Sequence, residues 1–455
     1  MPALPGPAAV VFTANTIRVS TNLLTTLVRR VKPGRGESVN ELRLLAFNLT
    51  RRCNLACPHC YLDADSLQQS DPDELDTEAV CQVLDQVGAM GHSTMVVLTG
   101  GEPLVRADLE TICRHGVASG LVMVVGTNGV MLTRRRAAAL QAAGVAGIGI
   151  SLDSMDPERH DRFRGLPGAW HRTMAAIKHC RERELDFQLH FTVTPDTVDE
   201  VPGIAGFAAR SGARVLNVFF VICTGRGTAS SRLSWTQHEQ VLQQLVELQR
   251  QYPEFIVRPR CAPQFKRVAL SQSAPSATNL ISGSEGDGCI AGTHYCRVTS
   301  HGELTACPYI PDVLGSVRDS ELANLWQQSP TLQQLRQGEF SGKCGVCEYR
   351  LLCGGCRAGA LAQGHGLMGE DPACGYQPVG EGVIAPLPRH VGGAVRWTVA
   401  AEQRLARIPA PLRKMIRRRA EVFAQEQGHN CVTPSHLKTM AARRFGPAGP
   451  PREWR

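Results

Sequence analysis

The chain has 455 residues, of which 43% are hydrophobic and 20% charged, a globular composition that excludes a fibrous or intrinsically disordered protein. At ~150 residues per domain, this length accommodates about three domains. The formal charge of +8 gathers late, at Arg413, Lys414, Arg417, Arg418 and Arg419, but only 5% of residues are aromatic and none interleave with these cations. A base-stacking surface needs such interleaving, so no nucleic-acid partner is expected. An acidic ligand suits the basic face better.

In chain order, residues 1–38 form a poorly specified leader ending in the loop-like Lys32-Pro33-Gly34-Arg35-Gly36. The short apolar run at 8–14 lacks a basic start, and no later stretch is long and apolar enough to span a bilayer. The expectation is therefore a cytoplasmic protein, in which the seventeen cysteines serve as metal ligands more readily than as disulfides.

From residue 39 the pattern becomes regular. Apolar, β-branched runs at 44–49, 95–99, 121–126, 147–152, 187–193 and 215–221 predict strands, and helical patterns at 77–90, 107–118, 134–143, 168–184 and 199–211 fall between them. Repeated strand–helix units predict an α/β fold with parallel strands and right-handed crossovers. Chemistry in such folds collects at the C-terminal ends of the strands.

The loop after the first strand carries Cys53, Cys57 and Cys60 in a C-x3-C-x2-C spacing. Three thiolates are one short of a closed zinc or electron-transfer site. They suit an iron–sulfur cluster with one iron left open, with a zinc loop as the alternative. The second strand ends in Gly100-Gly101-Glu102-Pro103, where the glycines admit a close backbone approach and Glu102 can hold an ammonium group. Asn128 follows the third strand, and Ser151 and Asp153 follow the fourth, a hydroxyl and a carboxylate suited to ribose. Each is an ordinary βα-turn residue alone. Four such turns in register behind the cysteine loop form a constellation.

This constellation resembles the radical S-adenosylmethionine enzymes. The resemblance implies a partial six-unit (β/α) barrel of TIM type over about 39–225, with Cys53, Cys57 and Cys60 holding a [4Fe-4S] cluster. Gly100, Gly101, Glu102, Asn128, Ser151 and Asp153 would hold S-adenosylmethionine. The open iron binds the methionine end of that cofactor, and one electron from a flavodoxin- or ferredoxin-like donor cleaves it to a 5′-deoxyadenosyl radical.

Residues 226–285 read as a connector, with an amphipathic helix at 235–252, a Ser/Ala/Gly-rich loop and an isolated Cys261 taken as a spare buried thiol. Eight cysteines then fall at 289, 296, 307, 344, 347, 353, 356 and 374. The count fits two four-ligand metal sites, with zinc ribbons as the alternative. Beside a radical-enzyme barrel this segment, 286–378, resembles the SPASM auxiliary-cluster domain. By motif, Cys344, Cys347, Cys353 and Cys374 would hold one [4Fe-4S] cluster, and Cys289, Cys296, Cys307 and Cys356 another. Only Gly354 and Gly355 separate the last two cysteines of the motif, one residue fewer than is usual.

A linker at 379–395 precedes a helical module at 396–446, with helices expected at 397–406, 410–427 and 433–444. Its Trp397, Arg404, Leu405, Ile408-Pro409, Arg413, Glu421 and Gly428 resemble the C-terminal helical domain of a protochlorophyllide reductase subunit. Together with Arg260-Cys261-Ala262-Pro263, Cys307-Pro308-Tyr309 and Cys353-Gly354-Gly355-Cys356-Arg357-Ala358, these motifs look like those of NirJ-type haem-biosynthesis radical enzymes. The resemblance implies modification or removal of carboxylate side chains on an iron tetrapyrrole. A peptide-modifying maturase and, in another class, an iron–sulfur electron-transfer or scaffold protein are the alternatives.

Overall fold

The computed structural model describes residues 40–445 except 67–70, 92–93, 228–230, 254, 273–287, 381, 385–394, 409–412, 414–415, 418, 422, 425–428 and 430. The expected leader, most of the 270–288 loop and much of the middle late helix lie outside the described residues.

Nine strands form the main sheet: β1 Leu44–Asn48, β2 Met95–Thr99, β3 Val122–Thr127, β4 Gly147–Ser151, β5 Phe187–Val193, β6 Val215–Phe220, β7 Ile256–Arg260, β8 Tyr295–Val298 and β9 Leu304–Thr305. Their spatial order is β9-β8-β1-β2-β3-β4-β5-β6-β7, and every pairing is parallel except β8 with β9. The six expected strands are present within two residues of their predicted ends. Between them run α1 Thr77–Ala89, α2 Leu109–Ala118, α3 Arg134–Ala142, α4 Pro157–Arg164, α5 Ala169–Glu182 and α6 Val201–Ser211. This is the parallel α/β arrangement that the alternating pattern predicted and the partial barrel that the resemblance implied.

Burial along β5 alternates strictly, with Phe187, Leu189, Phe191 and Val193 buried and Gln188, His190 and Thr192 half-buried. A strand presents successive side chains to opposite faces, so the apolar set packs under the helices and the polar set lines the barrel interior. The same core takes Val80, Leu84 and Val87 from α1 and Ile204, Ala205 and Ala208 from α6.

The sheet extends beyond the expected barrel segment at both edges. β7 comes from the expected connector and pairs with β6, Asn217 opposite Arg258 and Phe219 opposite Arg260. β8 comes from the cysteine-rich segment and pairs with β1, Leu44 opposite Tyr295. Charged side chains at Arg258, Arg260 and Arg297 interrupt the apolar runs that reveal buried strands, which is why these strands escaped the sequence reading.

In the late module Arg396–Trp397 pairs in parallel with Cys431–Val432, between helices Val399–Ala406 and Pro434–Phe445. Arg417 binds Glu402 at 2.8 Å and lies over the Trp397 ring, while Arg413 donates to the carbonyls of Ile408 and Ala406. Part of the basic face is therefore internal to the module. Among the described residues, no helix is long and apolar enough to cross a membrane.

Because β8 covers the edge of β1, a chain ending at residue 288 should expose an unpaired strand edge. Thermal unfolding followed by circular dichroism is expected to show a lower and broader transition than the full chain gives. A transition at the full-chain temperature would contradict this.

Candidate active site

The three cysteines of the early loop sit directly beyond β1. Cys53 and Cys57 are buried and Cys60 is half-buried. Burial pushes the Cys53 thiol up to about 12, and the charges of Glu102, Cys57 and Cys60 push in the same direction. Thiolates crowded this way need a strong cation nearby before they ionise together. Among the described residues, however, no three His, Cys, Asp or Glu side chains converge on a single ion. A structural zinc takes four ligands, whereas the three thiols packed together here are the donor set of a cluster with one iron left open.

The loop after β2 clips the cysteine loop in place. Gly101 N–H donates to the Thr50 carbonyl at 2.8 Å, and Glu102 N–H to that of Arg52 at 2.9 Å. A Cβ on Gly100 would lie 2.4 Å from the Thr50 oxygen, and one on Gly101 2.2 Å from that of Arg52. Both glycines thus lie closely against the cysteine loop's own backbone. Glu102 is fully buried and accepts from Leu104 N–H, the Thr127 hydroxyl and Asn128 N–H at 3.0, 2.7 and 2.8 Å. A carboxylate has about four acceptor positions, and one remains on Oε2. Asn128 donates its amide to Asn54 Oδ1 at 2.7 Å, tying the third βα loop to the first.

Ser151 ends β4 half-buried, opposite His190 in the sheet. Asp153 is fully buried and forms an ion pair with Arg164. It also accepts from Thr192 N–H at 2.9 Å. Arg164 in turn lies 3.7 Å from Cys57 Sγ through Nη1. The sequence reading missed Arg164 because α4, Pro-Glu-Arg-His-Asp-Arg-Phe-Arg, carries almost no apolar signal. It also missed Arg226, which donates to the Cys57 carbonyl at 3.0 Å and to Asp63 at 2.9 Å.

Two further thiol groups follow. Cys344, Cys347, Cys353 and Cys374 are electrostatic neighbours, as their motif implied. The other group is Cys261, Cys289, Cys307 and Cys356. Cys296 does not join it. On β8, Tyr295 and Arg297 take one face, so Cys296 takes the other and is buried in the apolar core. Cys261, read from sequence as a spare thiol, occupies the expected place of Cys296. Its φ of 63° is left-handed and unusual for a side-chain-bearing residue, and it turns the thiol inward at the end of β7. The shortened spacer is accommodated by left-handed φ angles of 64° and 68° at Gly354 and Gly355, which send Cys353 and Cys356 to different groups. Asp371 stands between the groups, accepting Cys356 N–H at 2.7 Å while its own N–H reaches Cys344 Sγ at 3.4 Å.

Tyr61, beside Cys60, approaches Tyr309 with ring centroids 5.2 Å apart, and Tyr309 neighbours Cys261 and Cys307. The early loop and this thiol group therefore flank the same interior space.

A barrel bearing an open three-cysteine loop at its C-terminal mouth, followed by paired thiol groups, defines a radical enzyme with auxiliary iron–sulfur centres. The comparisons agree: the chain belongs to the radical SAM superfamily, whose profile matches residues 47–208, and an iron–sulfur cluster-binding SPASM domain matches 289–356. A profile of the proto-chlorophyllide reductase 57 kD subunit matches 397–440. An AdoMet-dependent heme synthase of Methanosarcina barkeri is 35% identical over 345 residues, 74% of this chain and 98% of the relative. A pre-heme d1 synthase of Dinoroseobacter shibae is 28% identical over 349 residues, 73% of this chain and 85% of the relative. The fold matches Streptococcus suis SuiB bound to S-adenosylmethionine, with a TM-score of 0.61 at 15% identity, covering 74% and 78% of the two chains. The protein is thus an enzyme that uses a [4Fe-4S] cluster, S-adenosylmethionine and auxiliary iron–sulfur centres.

Burial alone would raise the Asp153 pKa, but Arg164, and to a lesser extent His59 and His160, hold it below the ordinary carboxylate value. A lowered folded pKa contributes stability that is complete above ~3.9 and is lost as pH falls through the folded value. Arg164→Met should strand the buried carboxylate and cost about 3–5 kcal/mol at neutral pH. Urea unfolding should show this gap narrowing as pH falls from the variant's burial-raised Asp153 value toward the parent's lowered one. A pH-independent gap would exclude the ion pair as its source.

Proposed function

We propose that this enzyme removes carboxylates from side chains of an iron tetrapyrrole in haem or haem d1-type biosynthesis. The observation that carries the reading is the 35% identity to the heme synthase across nearly all of that relative's length. When bound, the cluster and S-adenosylmethionine supply one-electron cleavage of a sulfonium and hence hydrogen abstraction from carbon.

The chain's own residues prepare that chemistry. Cys53, Cys57 and Cys60 would hold the catalytic cluster, with Arg164 beside Cys57 compensating thiolate charge. Glu102, through its remaining acceptor position, would take the cofactor's ammonium group, and Ser151 its ribose. Asn128 and Asp153 would act one step back, the first fixing Asn54 and the second fixing Arg164. Loss of a hydrogen atom and of a carboxylate as carbon dioxide leaves one electron on the substrate side. Cys261, Cys289, Cys307 and Cys356, across Tyr61 and Tyr309 from the early loop, would hold an auxiliary centre that could supply one-electron acceptance. Cys344, Cys347, Cys353 and Cys374 would hold a second centre. A flavodoxin- or ferredoxin-like protein in the cytoplasm fits the need for single-electron delivery.

Cys57→Ala should abolish dithionite-driven conversion of S-adenosylmethionine to deoxyadenosine in anaerobically reconstituted protein; unchanged turnover would reject the catalytic assignment. Cys261→Ala should lose about four irons per chain, whereas Cys296→Ala should retain the full count. The reverse pattern would restore Cys296 to the ligand set. Incubation with iron coproporphyrin should remove mass from the porphyrin in step with deoxyadenosine formation. Deoxyadenosine released without porphyrin change, together with a mass shift on a small peptide, would favour peptide maturation.

A further inference from the structure

Of the buried arginines elsewhere, Arg106 pairs with Asp108, Arg164 with Asp153 and Arg267 with Glu239, while Arg297 and Arg357 donate to hydroxyl and carbonyl oxygens. Two half-buried arginines in the barrel interior have no carboxylate partner among the described residues. Arg258 and Arg260 lie two residues apart on β7, on the face that alternation turns inward, while Val257 and Pro259 face the helices. Arg258 has no ion pair among the described residues, and its buried Nε has no hydrogen-bond partner. The charged groups that act on it are the guanidiniums of Arg260 and Arg419, both of its own sign. Arg260 donates through Nε to Asn217 Oδ1 at 2.9 Å, and Asn217 is held from behind by Gln188 at 2.8 Å. The phenols of Tyr295 and Tyr309 and the thiol of Cys261 act on it as well, and none of these is a carboxylate.

A guanidinium does not shed its proton to relieve burial. Two of them side by side and half-buried repel each other more than they would in open water, and a further interaction that compensates favours such a pair. Carboxylates offer the complementary geometry, two oxygens against a planar fork.

We infer that Arg258 and Arg260 form an anion site that anchors substrate carboxylates inside the barrel. The identity of the ligand, a tetrapyrrole bearing several carboxylate arms, rests on the function proposed above; the existence of the site does not. Its position is consistent with that use. Register places Ser151, His190, Asn217 and Arg258 in one row across β4 to β7, all facing the interior. His190 lies within electrostatic reach of both Arg260 and Arg164, so one side chain separates the arginine pair from the group beside Cys57. A molecule held at Arg258 and Arg260 by one arm extends across His190 toward the early cysteine loop. Cys261 follows Arg260 directly, which places the same arm beside the auxiliary thiols.

The test uses the full-length, anaerobically reconstituted protein and metal-free coproporphyrin III, whose fluorescence reports binding, alongside its tetramethyl ester. The tetra-acid should bind and the ester should not, and binding should weaken as salt rises. Arg258→Gln and Arg260→Gln should each weaken tetra-acid binding tenfold or more, and Arg258→Lys should weaken it less, at unchanged iron content and circular dichroism. Ester binding equal to acid binding, variants that bind the acid as the parent does, or no binding of the acid by the parent would each overturn the site. Arginine-dependent binding of a porphyrin that is never converted would leave the site standing and remove the proposed reaction.

Discussion

Three closely packed sulfurs that repel one another on ionisation set the terms for this molecule. Burial and neighbouring negative charge raise the Cys53 and Cys57 thiols, and a strong cation is what lets such thiols ionise together. Around them the fold places countercharge and backbone restraint: Arg164 against Cys57, itself steadied by Asp153, and Arg226 on the Cys57 carbonyl. The glycine loop beyond β2 binds the same segment by two backbone hydrogen bonds. Residues that look from sequence like contacts for a small molecule prove in part to be the frame that keeps the cysteine loop open.

What was legible in the sequence follows from how local each signal is. C-x3-C-x2-C is complete within eight residues, and the parallel strands declare themselves through continuous apolar runs. Asp153 was legible at the end of its strand, whereas its ion-pair partner Arg164 was not, because α4 is a polar helix that no periodicity reveals. Cys296 and Cys261 were exchanged for a similar reason. Strand parity decides whether a thiol on β8 meets the core or the interior, and parity is invisible until the strand itself is recognised. A lone cysteine after a charged strand carries no spacing to mark it as a ligand.

Those charged strands join the two halves of the chemistry. β7 and β8 come from segments outside the regular alternation and extend opposite edges of the sheet. From them Arg260, Cys261 and Tyr295 approach one another, with Tyr309 from the loop after β9 and Tyr61 from the early cysteine loop. The interior is thereby bounded on one side by the segment that starts radical chemistry and on the other by thiols suited to an electron-accepting centre.

The paired glycines at 354 and 355 illustrate how a deletion can be absorbed without loss of geometry. A Cβ at Gly355 would lie 2.7 Å from Asp371 and 3.2 Å from Cys344 Sγ, and one at Gly354 2.7 Å from the Phe340 ring. The backbone there works as a crank, reversing direction in the space that a longer spacer would have filled. Two positions with no donor atom are consequently bound to the metal chemistry as tightly as the sulfurs on either side of them.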